Sequence, residues 1–231
     1  LDQTDLLAND SDEDIATDGD SLRVASVANA TGGTVRLLAG GQIEFTPDAH
    51  FHGVASFDYV AADSFGATST ARMTLNVTAV NDAPVARGEV TSFNEDNAIT
   101  FTQAQLLAND SDADTATDGQ VLTVTAVSGA SHGAVTLLPN GDVRFTPHAN
   151  YHGPAQFNYT VAEGAGGVAD ATVNLTVLSV NDTPVAVGES AAATEDTTLV
   201  IAAGTLLGND SDVDTATDGQ ILSISAIDGA T

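Results

Sequence analysis

The side chains of this sequence that could do chemistry are carboxylates. Asp110-x-Asp112-x-Asp114 sets three acids on alternate positions, and Asp210-x-Asp212-x-Asp214 repeats the spacing. Glu95 and Asp96 stand side by side, Asn81-Asp82 and Asn181-Asp182 pair an amide with an acid, and Asp218 follows the second triplet. No Lys or Arg lies in any of these stretches. Carboxylates gathered without a counter-charge repel and raise one another's pKa. A hard cation removes the conflict. Ca²⁺ suits this donor set, because it takes about 6–8 oxygens from carboxylates, Asn carbonyls and the backbone. Mg²⁺ suits it less, since it demands a tight octahedron and keeps its waters.

The triplet resembles the opening of an EF-hand loop but departs from it. Thr115 stands where that loop needs Gly, and Val121 where it needs a bidentate Glu. The bland alternative is a solvated acidic loop. The two readings differ in whether the fold brings the acidic stretches together.

The elements that must do so are repeated. Leu6-Leu7-Ala8-Asn9-Asp10-Ser11-Asp12 recurs at Leu106–Asp112 and, with Gly208 for Ala, at Leu206–Asp212, an offset of 100 residues each time. Phe45-Thr46-Pro47 returns as Phe145-Thr146-Pro147, and Asn81-Asp82-Ala83-Pro84-Val85 as Asn181-Asp182-Thr183-Pro184-Val185. A period of this length is one small autonomous domain, so the chain reads as a tandem array. Three repeats are expected: a partial one at 1–81 lacking its first strands, a complete one at 82–181, and a partial one at 182–231 holding only N-terminal strands.

Within a repeat the pattern is β. Leu122–Val127, Ala134–Leu137, Asp142–Phe145, Gln156–Val161 and Val173–Val177 alternate with period two and are rich in Val, Thr and aromatics. Asn140-Gly141 predicts a tight hairpin. No stretch carries a helical period. With strand A over about Pro84–Phe93 and strand B at Ile99–Phe101, seven short strands predict an all-β, immunoglobulin-like Greek-key sandwich. Alternate strand directions then put the Glu95-Asp96 turn at the trailing pole and the Asn109–Gly119 loop at the leading pole. The second-to-third junction thereby gathers Glu95, Asp96, Asp182, Asp210, Asp212, Asp214 and Asp218, with Asn181 beside them. The first gathers Asn81, Asp82, Asp110, Asp112 and Asp114.

Three motifs in this order carry a resemblance over all 231 residues: Leu-Leu-x-Asn-Asp-Ser-Asp, Asn-Asp-x-Pro-Val-Ala and Glu-Asp-(Asn/Thr). They look like the cadherin-like, immunoglobulin-like tandem repeats that act as extenders in giant bacterial RTX-type surface adhesins. The resemblance implies Ca²⁺ at the junctions, a role in adhesion or biofilm formation, a bacterial cell-surface location and export by a type I system. In cadherins the linker reads Asp-x-Asn-Asp-Asn-x-Pro; Asn81-Asp82-Ala83-Pro84 keeps the Asn-Asp and the Pro but lacks the following Asn. The family's Asp-x-Asp matches Asp110/Asp112 and Asp210/Asp212, and its upstream acid Glu95 and Glu195. The poorer linker implies fewer ions per junction.

Composition narrows the function. The chain holds 32 acidic residues against 5 basic ones, all Arg, for a formal net charge of −27. No basic footprint for nucleic acid can be assembled, and an anionic membrane surface would repel the chain. No apolar run approaches the roughly 20 residues a membrane helix needs. Cysteine is absent, which excludes disulfides, thiolate metal sites and a Cys nucleophile. Gly129-Ala130-Ser131-His132-Gly133 matches the hydrolase nucleophile pattern, but it lies between two strands and not on a strand-to-helix elbow. The pair His50-Phe51-His52 is not kept one repeat on, where Asn150-Tyr151-His152 stands, so both His read as turn residues. Phe51 and Tyr151 are expected to plug that corner of the core. No enzyme is expected. The alternative to a Ca²⁺-stiffened extender is a module whose loops bind a polysaccharide or protein directly. The core should comprise Val124, Leu137, Phe145, Phe157, Tyr159, Leu175 and Val177, with Leu107 sealing the leading pole. Neighbouring repeats are the expected partners, and the open edges of the partial repeats invite strand exchange with another copy.

Overall fold

A computed structural model describes residues 1–13, 15, 19–115 and 119–228. Part of the acidic loop of the middle repeat, residues 116–118, lies outside the described residues. The chain forms two compact units. The first comprises Leu1–Ala83 with Asp112–Gln120, the second Pro84–Ser111 with Val121–Thr231.

The first unit opens on a short helix, α1 (Gln3–Leu6), whose N-cap Asp2 accepts the Thr4 N–H. Five strands follow: β1 (Arg23–Thr31), β2 (Gly33–Leu37), β3 (Ile43–Pro47), β4 (Gly53–Ala62) and β5 (Thr68–Val77). They form an antiparallel β1-β4-β5 sheet and a β2-β3 ribbon. Leu6, Val24, Ile43, Phe57 and Tyr59 are buried between them.

The second unit holds the seven strands expected of a full sandwich: β6 (Val90–Asn94), β7 (Ile99–Phe101), β8 (Thr123–Ser131), β9 (Gly133–Leu137), β10 (Val143–Pro147), β11 (Gly153–Ala162) and β12 (Val168–Leu178). One sheet runs β6-β12-β11-β8 and the other β7-β10-β9. Only the β6–β12 pairing is parallel among these, with Leu175 opposite Thr91 and Val177 opposite Phe93. This is an all-β, immunoglobulin-type sandwich. Alternation puts Phe157, Tyr159 and Val161 of β11 and Val173, Leu175 and Val177 of β12 on the inner face. Phe145 stacks on Phe157 at 6.0 Å, while Phe93 and Phe101 meet these rings edge-on. Full burial of each such ring contributes about 1.5–3 kcal/mol.

The hairpin expected at Asn140-Gly141 forms between β9 and β10 through a three-residue loop: Leu138 N–H donates to Asp142 O at 2.7 Å, and Gly141 sits at φ +87°. Three sequence expectations need correction. Short helices do form. In α2 (Gln103–Leu106) the Thr102 hydroxyl accepts the Gln105 N–H and the Gln105 carboxamide accepts the Thr102 N–H. That helical turn directs Leu106 into the core, fully buried, and leaves Leu107 only partly covered, so Leu106 seals the pole. Leu137 is likewise only partly buried against the core.

The region beyond Asn181 forms no strand among its described residues. It contains two turns of helix, α3 (Ala203–Leu206) and α4 (Asp214–Thr217), and a bridge between Val185 and Ser211. The physical reason is pairing. In the middle repeat β6 leans on β12 and β7 on β10, and residues 182–228 offer no counterpart of either partner. Leu199, Val200 and Ile201 are left exposed.

Candidate metal centre

The second unit brings three acidic stretches together at the trailing pole of the sandwich. Glu95 follows β6. Its backbone N–H donates to Leu178 O at 2.9 Å and its Oε1 accepts the Val180 N–H at 2.8 Å, which ties the turn to the end of β12. Glu95 is 1% exposed, and its Oε2 is buried without a hydrogen-bond partner. Asp96 takes a left-handed conformation at φ +59°, and its Oδ1 accepts the Asn150 N–H at 3.3 Å.

The linker supplies the middle of the cluster. Asp182 donates its N–H to Asp214 Oδ2 at 2.7 Å, and its own Oδ2 is buried without a partner. Asp214, 3% exposed, in turn donates its N–H to Asp212 Oδ1 at 2.9 Å. The Asp182 carboxyl is pushed above the usual carboxylate range, first by desolvation and then by Asp96, Asp214, Glu95 and Asp212. Five carboxylates therefore share one locality, with no basic side chain in the stretches that supply them.

Not every predicted residue joins them. Asp210 lies before the Val185–Ser211 bridge and its Oδ1 accepts the Val187 N–H at 2.8 Å, facing the incoming strand segment. Asp110 does the same with the Arg87 N–H at 2.7 Å. The Asp-x-Asp pair that faces the linker is thus Asp212/Asp214, two residues downstream of Asp210/Asp212. Asp218 sits to one side, accepting the Ser179 hydroxyl at 2.5 Å with His152 Nε2 at 3.8 Å. The Asn181 amide donates to Asp182 O at 2.7 Å and accepts the Gln220 amide at 2.9 Å, so it braces the linker.

The first unit repeats this geometry. Asp82 N–H donates to Asp114 Oδ2 and Asp114 N–H to Asp112 Oδ1, both at 2.7 Å, and the Gln120 amide reaches Asn81 Oδ1 at 2.9 Å. Positions 95 and 96 have no counterpart in the first repeat of this chain. There His50 Nδ1 lies 2.6 Å from Asp82 Oδ2, and its pKa is raised by Asp82 and then Asp114.

A third cluster was missed by sequence reasoning. One carboxylate oxygen from each of Asp12, Asp20 and Asp63 lies within 4.8 Å of the others in the first unit. Asp63 Oδ1 accepts the N–H groups of Phe65, Gly66 and Ala67, and Asp20 Oδ1 accepts those of Ser21 and Ser64. These bonds fix both side chains. At the 100-residue offset stand Asp112, Gln120 and Glu163, and the recurrence of an acid at 63 and 163 was the available signal.

The donor set fits a hard cation. Every candidate ligand is an oxygen, and Glu95 Oε2 and Asp182 Oδ2 are buried acceptors with no hydrogen-bond partner among the described residues. The rejected motifs stay structural. Ser131 belongs to β8 and its Oγ accepts the Gln156 N–H at 3.0 Å, while the His132 ring stacks on Tyr151 at 4.3 Å. Tyr151 packs on the core as expected.

Residues 80–178 and 180–231 match the model of a cadherin-like domain, and residues 2–76 match a bacterial Ig domain. No curated protein sequence matches the chain. Among solved structures, EC1-2 of human mucin-like protocadherin is 18% identical with a TM-score of 0.41, over 71% of this chain and 86% of that one. EC21-23 of human CDH23 is 16% identical with a TM-score of 0.48, over 76% and 68%. The endo-fucoidan hydrolase MfFcnA9, of glycoside hydrolase family 107, is 19% identical with a TM-score of 0.29 over 67% of this chain, which spans 28% of that enzyme. Cadherin-like and bacterial Ig domains are typically extracellular and non-enzymatic. Among the described residues no helix is long and apolar enough to cross a membrane.

Proposed function

The chain belongs to the cadherin-like domain family, and on that footing we propose that it forms Ca²⁺-stiffened extender repeats of a large bacterial surface adhesin. Glu95, Asp96, Asp182, Asp212 and Asp214 hold the ion at one junction, and Asp82, Asp112 and Asp114 contribute to the other. The repeats divide at 1–81, 82–181 and 182–231. They project a distal ligand-binding region for adhesion or biofilm formation, after export by a type I system. Neighbouring repeats of the array are the partners. In this chain, strand exchange between copies covers the open edges of the partial repeats.

One observation carries the reading: Glu95 Oε2 and Asp182 Oδ2 are buried and unsatisfied within an all-oxygen cluster. The cation supplies charge and up to about eight coordination sites to oxygens from two repeats. Extracellular sites of this kind bind at about 10⁻⁴–10⁻³ M. The linker Asn181–Pro184 is then a hinge at cytosolic calcium and a strut outside the cell.

The test is small-angle scattering and calorimetry of the chain in EDTA and in millimolar Ca²⁺. Extension and a binding heat are expected; Asp214→Asn with Asp212→Asn abolishes both at the second junction, and Asp210→Asn does neither. An unchanged maximum dimension with no binding heat leaves a solvated acidic loop. The alternative, direct binding of a polysaccharide or protein, has one feature in its favour: Phe65 stands 75% exposed at the β4–β5 turn. Glycan-array binding lost in Phe65→Ala would favour it.

A further inference from the structure

The first unit carries an apolar cleft at a place the second unit has filled. The cleft measures about 260 Å³ and is lined by Leu1, Ile43, Phe45, Phe57, Met73 and Leu75. One repeat on stand Phe101, Val143, Phe145, Phe157, Val173 and Leu175, and all six are buried. The difference is two strands. In the middle repeat β6 pairs with β12 and β7 with β10, so that Phe93 meets Phe145 edge-on at 6.1 Å and Ile99 packs on the core. In the first unit, among the described strands, β5 pairs only with β4 and β3 only with β2. Leu1 stands at the end of the missing place, exposed and bonded through its backbone to Ile43.

The chain also carries a spare equivalent of the missing strands. Residues 190–201 align with 90–101, and every one of them is exposed. They form no strand, yet their turn already has the shape of its counterpart. Asp196 and Asp96 share φ +59°, and the Thr197 N–H closes the turn on Thr194 O at 3.2 Å. A segment shaped in advance loses less entropy on docking. Leu199 and Ile201 hold the positions of Ile99 and Phe101, whose side chains pack into the core of the middle repeat. The receiving edge faces outward. In β12 the Asn174 N–H reaches Glu89 O at 2.8 Å, and Thr74 of β5 holds the equivalent position.

Building on the strand exchange inferred above, we propose that residues 190–201 of a second copy seat in this cleft in the register of β6 and β7. Residues 190–194 run parallel to β5, with Ala192 opposite Asn76 and Ala193 opposite Val77, as Ser92 and Phe93 stand opposite Thr176 and Val177. Leu199 lies opposite Phe45, and Ile201 takes the place of Leu1 opposite Ile43, as Ile99 and Phe101 stand opposite Phe145 and Val143. Those two side chains supply most of the apolar contact, since Ala193 replaces the Phe93 ring. The contact joins the third repeat of one copy to the first repeat of the next, so it is heterologous and propagates from copy to copy. It also fills a gap at the first junction. The seated turn brings Glu195 and Asp196 of the second copy toward Asp82, Asp112 and Asp114, as Glu95 and Asp96 stand to Asp182, Asp212 and Asp214. On the Ca²⁺ reading, that oxygen set is complete only across two copies.

The chain has no cysteine, so a single introduced thiol reports the register. Asn76→Cys and Ala192→Cys, both at exposed positions, are mixed with one of them isotope-labelled and then oxidised. Salt at about 0.15 M screens the repulsion between chains of net charge −27 beyond about 8 Å. Mass spectrometry should show a mixed disulfide at about tenfold the yield of Asn76→Cys with Ala191→Cys, whose side chain points to the other face of the strand. Leu199→Asp, at an exposed position, should remove the mixed disulfide when placed in the Ala192→Cys chain and leave it unchanged in the Asn76→Cys chain. A disulfide between two Asn76→Cys chains at the yield of the mixed one would assign the cleft to paired first units and overturn the proposal. So would a mixed disulfide indifferent to Leu199→Asp in the Ala192→Cys chain. Self-association in sedimentation without the mixed disulfide overturns this register and leaves strand exchange standing; the absence of both removes strand exchange as well. Equal cross-linking in EDTA and in millimolar Ca²⁺ upholds the docking and counts against the Ca²⁺ reading of the junction.

Discussion

Replacing Glu95 by Gln should have opposite effects with and without calcium. Glu95 Oε1 already accepts the Val180 N–H, a bond a carboxamide oxygen keeps. Its Oε2 is a buried acceptor without a partner, set beside Asp182. An unsatisfied buried group costs about 1–3 kcal/mol. In EDTA, Gln removes the charge and presents an N–H in its place, so part of that cost is recovered. For a sandwich of this size a gain of 1 kcal/mol raises Tm by roughly 4–8 °C. In Ca²⁺ at a hundredfold excess over Kd, the unaltered site gains about 2.7 kcal/mol. Gln brings one neutral oxygen where a charged one stood, and most of that gain is lost. The assay is differential scanning calorimetry of both proteins in EDTA and in about 10 mM CaCl₂, a concentration set by the affinity range of extracellular sites. The curves should cross: the variant melts higher in EDTA and lower in Ca²⁺. A variant that melts lower by the same amount in both buffers would refute the reasoning, because Glu95 would then be an ordinary structural side chain.

Asp182 is held above the usual carboxylate range, so in EDTA the second unit should be most stable below that range and weaken as pH rises through it; Asp182→Asn should flatten that dependence in thermal melts from about pH 3.5 to 7. Leu175→Ala, at a position 3% exposed between the sheets, should cost about 2–5 kcal/mol by urea unfolding, and a loss under about 0.5 kcal/mol would mean the side chain is not in the core. Gly141→Ala forces a Cβ to 2.6 Å from Gln103 Oε1 at a positive φ, and should lower the unfolding midpoint more than the same change at Gly164, which meets nothing within 4 Å. Strand exchange should appear as concentration-dependent association in sedimentation, abolished by Ile201→Asp.

The sandwich was legible because two local signals agreed. Alternation in Gln156–Val161 and Val173–Val177 named the inner faces of β11 and β12, and the turn residues between them set the strand ends. The pole of each acidic stretch followed from counting strands. Details that rest on one turn of helix did not follow. Leu106 and Leu107 are equivalent in a period-two reading, and only α2 decides which points inward. Thr102 and Gln105 spell a capping box, a signal present in the sequence that a β reading passes over. The same limit explains the two-residue slip in the Asp-x-Asp pair. Ser111 and Ser211 bridge to Val85 and Val185, and that bridge separates Asp110 and Asp210 from the acids after it. Spacing alone does not reveal a bridge. Asp12, Asp20 and Asp63 were hidden for another reason: they are far apart in sequence and meet only because the β4–β5 turn folds onto the loop after α1.

The hydrogen bonds at the second junction explain why an ion could act on the linker and leave the sandwich unchanged. Glu95 is fixed to the end of β12 by two bonds, one from its backbone and one from its side chain. Asp212 and Asp214 are fixed to each other and to the linker by the Asp214 and Asp182 N–H groups. Each half of the oxygen set is therefore ordered by protein contacts, and a cation has few side chains left to immobilise. Preorganised ligands lose little entropy on binding. The two halves meet through Asp182, whose backbone serves one half while its free Oδ2 faces the charges of both. On the Ca²⁺ reading proposed above, repulsion at that residue would oppose closure without the cation, and attraction to a common ion would favour it. Such a joint would need no rearrangement of β6–β12 to switch, only a change in the sign of the force on one linker residue.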